Sequence, residues 1–387
     1  MKAPPLAVGL LAMVGSLAAA FLARRRLQER RRGGSGPAAR RRMCVATRVH
    51  QKNASQPIDL EKVRKFLVAA RTYANSIVIA VGGPEPEPDS NGQEGTGGQG
   101  PAAGGAPPGG GGGEPVAAAI RRVCREVEEA CGAAEVEGEG PREEGECPAG
   151  RRRPGGGGRG PRATVVEVRP WGNFTPALNA LLGFAARDGA DLVLFQASNW
   201  YSLEVLFPGH VATTLEENLG PGDLVVGAVL PGHDFHRGRG RPLTGTTSPW
   251  NTLAVWDLRA LARLGFLGVA EGLLPGLAAG VEEVTVIAAL QALGVGQARA
   301  KLLRVPEVDW QVDWEDEGRR EWHRRKMASK VTRAGAQLEA LGVPMGRVDH
   351  VDMSVSVATA AATGAAAGLG AAADGSSTGS GRRWWYR

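Results

Sequence analysis

The sequence predicts an α/β fold, a three-layer sandwich in which helices cover both faces of a mainly parallel central sheet. The main observation is the segment 163–200, which reads as strand, turn, helix and strand. Its second strand, residues 191–195, is too uniformly apolar for a half-exposed strand and is typical of a buried parallel sheet. Similar apolar runs lie before and after this unit, at 76–81 and 223–230. Strands that alternate with helical patterns indicate β-α-β units.

Apolar residues spaced three and four apart predict the helices. Thr175-Pro176 suits a helix start, with the hydroxyl as N-cap and the proline at the first helical position, and Gly189 ends that helix. The charged segment at the end of the body keeps an apolar seam that includes Trp322 and Leu338. The other predicted helices cover residues 57–72, 115–131, 249–264, 281–293 and 318–341.

Apolar and β-branched runs predict the strands. The run at 76–81 ends in Gly82-Gly83, and we interpret it as the first strand of the sheet. Arg169-Pro170 closes the strand at 164–168. The complete set of predicted strands is 76–81, 164–168, 191–195, 223–230 and 300–306.

The uneven distribution of 57 Gly and 25 Pro predicts the domain organisation. These residues concentrate in segments that cannot form a core, so we expect disorder there. The expected organisation is an N-terminal hydrophobic segment plus Arg-rich linker at 1–56, one α/β domain at 57–350 and a disordered tail at 351–387. Within the domain we expect disordered Gly/Pro-rich insertions at about 83–114 and 138–162.

Residues 5–23 are apolar over about the length that a bilayer core requires. Arg24, Arg25 and Arg26 follow directly, whereas only Lys2 precedes the segment. By the positive-inside rule, we expect a membrane protein with a single N-terminal anchor and a cytosolic body. The alternative is a leader that targets the protein to a plastid or mitochondrion, because the first fifty residues are rich in Arg and poor in acids.

The net charge of +6 comes from the Arg-rich segment 24–42 and not from the folded part. Because no basic stripe with interleaved aromatics is visible in the body, we expect no nucleic-acid partner. The sequence also lacks a Gly-x-Ser-x-Gly motif, a phosphate-binding Gly-x-x-x-x-Gly-Lys motif and a dinucleotide fingerprint. Hydrolase and oxidoreductase functions therefore lose support.

Several residues have both a functional and a purely structural interpretation. Glu282 and Glu283 begin a helix, where exposed backbone amides alone favour acids, but either could act as a general base. Trp171 and Trp250 lie in loops, where they could stack on a sugar or pack in the core. The remaining candidates are polar: Asn179 and Asn251 as caps or ligand contacts, and His323 and Arg324 as a solvated helix face or a phosphate contact.

Four segments in this order resemble the GT-A fold of the family-2 type glycosyltransferases: Ser76–Gly83, Trp171–Asn179, Ser248–Phe266 and Gly280–Glu283. The resemblance implies transfer of a sugar from a nucleotide-sugar donor to an unknown acceptor, with Glu282 or Glu283 as catalytic base. It implies a donor site at the carboxyl ends of the strands. The residues assigned to it are Gly82, Trp171, Asn179, Gln196, Ser198, Trp250, Asn251, His323 and Arg324.

The sequence departs from that family where an Asp-x-Asp usually holds a divalent cation. The position reads Gln196-Ala197-Ser198, whose neutral side chains are poor ligands for such an ion. A divalent cation is therefore possible, but no metal ligands are assigned and the cofactor stays unknown. Cationic side chains could meet the diphosphate instead, or the protein could be an inactive binding or scaffold protein. A nucleotidyltransferase on the same fold is a further alternative.

Overall fold

The computed structural model describes residues 41–52, 57–83, 114–136, 160–197, 209–295, 298–308 and 316–353. Within these ranges the chain forms nine strands and seven α-helices. The strands are β1 (Met43–His50), β2 (Ser76–Gly82), β3 (Arg162–Glu167), β4 (Leu192–Gln196), β5 (Asp223–Ala228), β6 (Gly238–Pro242), β7 (Leu253–Asp257), β8 (Arg299–Arg304) and β9 (Arg347–Asp352). The helices are α1 (Leu60–Ala70), α2 (Val116–Val136), α3 (Thr175–Arg187), α4 (Gly209–Glu217), α5 (Leu258–Leu261), α6 (Glu282–Ala292) and α7 (Glu317–Leu341).

The strands form one sheet in the order β3-β2-β1-β4-β7-β5-β8-β9-β6. The pairs within β3-β2-β1-β4 and within β5-β8-β9 are parallel. Strand β7 is antiparallel to both of its neighbours, and β6 is antiparallel to β9. The predicted α/β class with a mainly parallel sheet is therefore confirmed.

Helices pack on both faces of the sheet, as a three-layer sandwich requires. Along β2, Ile77 and Ile79 point to one face and Val78 and Ala80 to the other, because side chains alternate along a strand. The first face packs against α1, α2 and α4, and the second against α3, α5 and α6. Both halves of the core are continuous and apolar.

Strand β1 corrects the predicted start of the sheet. Residues 43–50 were assigned to the N-terminal linker, but they form a central strand between β2 and β4. Met43, Cys44 and Val45 are completely buried. The strand follows a run of arginines, and Arg48 interrupts its apolar character, which explains why composition indicated a linker.

The predicted helix at 249–264 is wrong in its first half. Residues 253–257 form the antiparallel strand β7, and only the four residues of α5 are helical. A short apolar run buried on both faces cannot be assigned to helix or strand from periodicity alone. The sequence also did not indicate α4, β6 or β9.

The prediction of a membrane anchor is corrected. Among the residues that the structure describes, no helix is both long enough and apolar enough to cross a membrane. The longest, α7, has 25 residues but carries charges along most of its length. Residues 5–23, on which the prediction rested, lie outside the described residues, as do most of the two insertions and the tail. Localisation at a membrane is not retained.

Candidate functional site

The candidate site lies at the carboxyl edge of the sheet, the edge at which the parallel strands end. Strands β2 and β3 lie on one side of β1 and β4 on the other, which is a topological switch point of the kind where open α/β sheets bind ligands. Because β7 is antiparallel, its first residues lie at this same edge. Leu253 pairs with Gln196, and the amide of Ala197 donates to the carbonyl of Thr252 over 2.9 Å.

Glu282 and Glu283 are buried at this edge, where Asn251 contacts both. The Asn251 backbone N–H donates to Glu283 Oε1 over 2.7 Å, and its Nδ2 lies 3.4 Å from Glu282 Oε1. Asn251 Oδ1 accepts from Trp256 Nε1 over 3.1 Å. The side chain of Asn251 is therefore engaged with the protein, which argues for a positioning role instead of the predicted donor contact.

The backbone before α6 is strained. Val281, which precedes Glu282, has a φ of 56°, a left-handed conformation that is unfavourable for a β-branched residue. Strain of this kind costs on the order of 1 to 3 kcal/mol and clusters at functional sites. It accompanies the turn that brings the two carboxylates to the carboxyl edge.

Lys330 of α7 is the positively charged residue that acts on the pKa of Glu283. Burial and the neighbouring Glu282 raise the pKa of Glu283 to about 7, although Lys330 opposes the shift. Burial lowers the pKa of Lys330 to about 8, although Glu283 opposes that shift. A carboxylate that titrates near neutral pH suits a general base. Perturbed pairs of this kind mark candidate functional sites.

Trp250 lies between His233 and Lys330. The His233 ring stacks on it at 3.7 Å between centroids, and Lys330 Nζ lies 3.2 Å from its ring centroid. At these distances the two groups cannot share one face, so both faces of the indole are covered. Its Nε1–H donates to the carbonyl of Gly245 over 2.8 Å. The predicted stacking of Trp250 on a sugar is therefore not compatible with this packing.

His233 is a neutral structural histidine. Its Nδ1 accepts from the amide of Leu230 over 2.8 Å, and its Nε2 lies 3.0 Å from the carbonyl of Ser248. Burial lowers the pKa of His233 to about 3, so it carries no charge at neutral pH. Nearby, exposed His236 contacts Asp234 over 2.9 Å. In the described ranges, no cluster of three or more potential ligands could hold a metal ion.

Three glycines from three loops hold α7 along the carboxyl edge. A Cβ on Gly232 would lie 2.6 Å from Met327 Sδ and 3.1 Å from His323 Nε2. One on Gly245 would collide with the carbonyl of Lys330, and one on Gly280 would lie 2.9 Å from Arg333 Nη1. Gly245 meets the backbone of α7, so it fixes how closely its loop approaches the helix. At Gly232 and Gly280 the contacts are with the ends of flexible side chains, and the positive φ of both residues favours glycine there.

Gly82 and Trp171 meet at the ends of β1 and β2. Trp171 is only 7% exposed and stacks on His50 at 4.7 Å between centroids. A Cβ on Gly82 would collide with the indole. Trp171 therefore packs as core and covers the position at which we expected a donor to meet Gly82.

The other predicted donor contacts have structural partners or lie elsewhere. Asn179 donates to the Phe266 carbonyl over 2.9 Å and accepts from the Phe266 amide over 2.8 Å, so both ends of its amide are used. Gln196 accepts from the buried Tyr73 hydroxyl over 2.8 Å. Exposed Arg324 forms ion pairs with acids of its own helix. Ser198 lies outside the described residues.

Two important residues were missed by the sequence analysis. Lys330 had no signal of its own among the charges of α7. Glu271 was also missed: its carboxylate accepts from the amides of Asn173, Phe174 and Thr175, the latter two over 2.8 and 2.7 Å. Glu271 thus caps α3 from a distant loop, and the predicted N-cap role of Thr175 is corrected.

A cavity of about 370 Å³ lies at the opposite edge of the sheet. Its lining includes Asp223 at the start of β5 and Asp257 at the end of β7. Asp223 forms ion pairs with Arg299 and Lys301 over 2.8 and 2.6 Å, and Asp257 caps α5. These acids therefore have structural roles, and the cavity is separate from the Glu283 site.

No model of a known protein family matches the chain, and no curated protein matches it. Among solved structures, the chain is similar to the mannosyltransferase PcManGT from Pyrobaculum calidifontis, in complex with GDP-Man and Mn2+. The sequence identity is 15%, the TM-score is 0.37, and 92% of each chain is covered. A likeness of this degree carries no argument about function.

Proposed function

We propose that the protein is a glycosyltransferase that moves a sugar from a nucleotide-sugar donor to a hydroxyl group of an acceptor, with Glu283 as general base. The observation that carries the proposal is the buried Glu283 at the carboxyl edge of the sheet, which accepts a hydrogen bond from the amide of Asn251 and whose pKa is affected by the charge of Lys330. The resemblance of Gly280–Glu283 to the base segment of the family-2 type enzymes supports the same role.

The reaction needs one base and one displacement. Glu283 accepts the proton of the acceptor hydroxyl while the oxygen forms a bond to the anomeric carbon of the donor. The bond between that carbon and the phosphate oxygen breaks, and the nucleoside diphosphate leaves with the electron pair. The configuration of the sugar is inverted. Because only ionised Glu283 can accept the proton, its pKa of about 7 predicts activity that rises through neutral pH.

The residues at the expected metal position do not fit a divalent cation. Gln196 offers a neutral amide oxygen that already accepts from Tyr73, and hard dications prefer charged carboxylates. We therefore derive no step through a metal ion.

The test is release of nucleoside diphosphate from a panel of UDP- and GDP-sugars. Glu283→Gln should lower turnover by about 10²-fold or more, since general base catalysis contributes about 10² to 10⁴. It should still bind the nucleotide. Glu339→Gln, an exposed acid of α7, is the matched control and should act like the wild type. The proposal fails if wild-type protein turns over no donor, or if Glu283→Gln turns over donor at the wild-type rate.

One observation favours a second candidate, a binding protein without catalytic activity. Trp171 covers the ends of β1 and β2, where the nucleotide of a donor would lie. If this packing persists, a nucleotide-sugar would bind weakly or in another position. Binding of a nucleoside diphosphate without turnover of any donor would favour this alternative.

A further inference from the structure

A row of basic side chains on α7 runs past the loops that border the Glu283 site. His323, Lys326, Lys330 and Arg333 are spaced by three, four and three residues, which places them on one face of a helix. We call these four residues the α7 stripe. His323 lies beside Gly232, Lys330 beside Trp250 and Gly245, and Arg333 donates to the carbonyl of Ala279 over 2.6 Å. Three of the four residues thus contact the loops that border the site, and Lys326 lies one turn from Lys330 on the same face.

The stripe differs from the opposite face of the same helix in how its charges are balanced. On that face Arg320 and Arg324 form ion pairs with Glu317 over 2.6 and 2.9 Å. Lys326 and Lys330 instead contact aromatic rings, those of Trp322 at 4.8 Å and Trp250 at 3.2 Å. No carboxylate of the described residues lies within 4.0 Å of either ammonium group.

Two lysines of the stripe lie close enough along the helix to repel each other. Lys326 and Lys330 are four residues apart, a spacing at which like charges repel on a helix. The pKa of Lys326 is lowered by burial and by the charge of Arg333. The pKa of Lys330 is lowered by burial and by Lys326, whereas Glu283 and Glu282 oppose that shift. An anion with two or more charges would relieve the repulsion. Of the groups that the proposed reaction brings beside Glu283, the diphosphate of the donor has this property.

We propose that Lys326 and Lys330, flanked by His323, bind the diphosphate of the nucleotide-sugar and replace the divalent cation that the neutral Gln196 position does not fit. This inference rests on the proposed function for the identity of the anion. It assigns charge neutralisation of the leaving group to lysines on α7. Ammonium groups on flexible stems can follow a diphosphate without a fixed ligand geometry.

Binding of inorganic pyrophosphate in EDTA, measured by calorimetry and by thermal shift, tests the inference on the full chain. Wild-type protein should bind pyrophosphate and gain thermal stability by mass action. Lys326→Gln should weaken binding at least tenfold, and Lys326→Arg should restore most of it because the charge returns. Lys330→Gln should have a similar effect. Arg325→Gln is the control, since Arg325 is exposed and lies 3.8 Å from Glu321.

The inference is overturned if pyrophosphate binds only when Mn²⁺ is added, or if Lys326→Gln binds it as tightly as the wild type. The second result would mean that pyrophosphate binds elsewhere, for example on the Arg-rich N-terminal segment. The outcome is separable from that of the proposed function. If the protein turns over a donor only when Mn²⁺ is present, the proposed function is supported and this inference is wrong. If pyrophosphate binding depends on the α7 stripe but no donor is turned over, the anion site is supported and the proposed function is wrong.

Discussion

The backbone amide of Asn251 donates a 2.7 Å hydrogen bond to Oε1 of Glu283, and this bond joins the loop before β7 to the first turn of α6. The two residues are 32 positions apart in the chain. Their contact depends on β7 running antiparallel between β4 and β5, because only that direction brings residue 251 to the carboxyl edge. The antiparallel strand thus determines where the proposed base lies.

Asn251→Asp should shift the pH dependence of the proposed reaction. The backbone bond to Glu283 is kept and Trp256 keeps an acceptor, but a third carboxylate is added beside Glu282 and Glu283. Like charge disfavours ionisation, so the pKa of Glu283 rises further and the acidic limb of the rate profile moves to higher pH. Turnover measured from pH 5.5 to 9 checks this. An unmoved acidic limb would contradict the role of Glu283 as the titrating base.

Glu283→Gln should stabilise the protein more as pH rises. The pKa of Glu283 is raised from 4.5 to about 7, so the folded state holds a proton that the unfolded chain has lost. The wild type therefore loses stability as pH rises from about 4.5 to 7, whereas the glutamine variant has no such loss. The expected relative gain between pH 5 and 7.5 is on the order of 2 kcal/mol, since one pKa unit is about 1.4 kcal/mol.

Lys330 acts in the same direction in this comparison. Without the carboxylate of residue 283, its pKa of about 8 falls further, and it loses its buried charge at lower pH. Glu282, Lys326 and Arg333, the other charged groups that act on the pair, are unchanged. Urea denaturation of both proteins at pH 5, 6 and 7.5 measures the difference. A constant difference across these pH values would show that Glu283 titrates in its ordinary range.

The local elements of the fold could largely be predicted from the sequence, because each depends on a nearby pattern. The apolar run of β2 and the Thr175-Pro176 start of α3 are of this kind. Strand β1 could not be identified, since its burial depends on β2 and β4, which follow later in the chain. Strand β7 was taken for a helix because its run is buried on both faces.

The site is harder to predict than the fold because its properties come from contacts between distant segments. Glu282 and Glu283 are recognisable as acids in a first helical turn, but nothing local indicates that they are buried. Lys330 is one of many charges on α7, and it is selected by the approach of Gly245 and Trp250 from a distant loop. Trp171 was assigned to a ligand because it lies in a loop, and its stacking partner His50 comes from a segment that was assigned to a linker.

Glu271→Gln should destabilise the protein by about 1.5 to 3 kcal/mol, the usual range for hydrogen bonds to a charged group. The carboxylate accepts from three backbone amides at the start of α3, where the helix dipole also favours a negative charge. Glutamine keeps one acceptor oxygen and places an amide group against the other donors. Urea denaturation measures the loss, with Glu339→Gln as the exposed control. Equal stability of the two variants would contradict the capping role.

Gly82→Ala should destabilise the protein by about 1 to 3 kcal/mol, whereas Gly83→Ala should be nearly neutral. An added Cβ at Gly82 collides with the Trp171 indole, but one at Gly83 has no atom within 4 Å. The adjacent positions share the same end of β2, so the difference reports the contact of Gly82 with the stacked rings of Trp171 and His50. Thermal unfolding of both variants measures it. If Trp171 moves aside to admit a donor, Gly82→Ala should also change nucleotide affinity.

Gly245→Ala should separate α7 from the site. The added Cβ would collide with the backbone carbonyl of Lys330, which cannot rotate away, so the helix or the loop has to move. We expect a loss of about 1 to 3 kcal/mol in stability. We also expect weaker pyrophosphate binding, because Lys326 and Lys330 move with the helix. Gly335→Ala is the matched control within α7, since no atom lies within 4 Å of its Cβ.

Alanine at position 335 should instead stabilise the helix by about 0.5 to 1 kcal/mol and leave pyrophosphate binding unchanged. Calorimetric titration of the two variants therefore separates the docking of α7 from its intrinsic stability. Unchanged pyrophosphate binding by folded Gly245→Ala would mean that the anion site does not depend on how the loop positions Lys330. In that case the contact between Gly245 and α7 would serve packing alone.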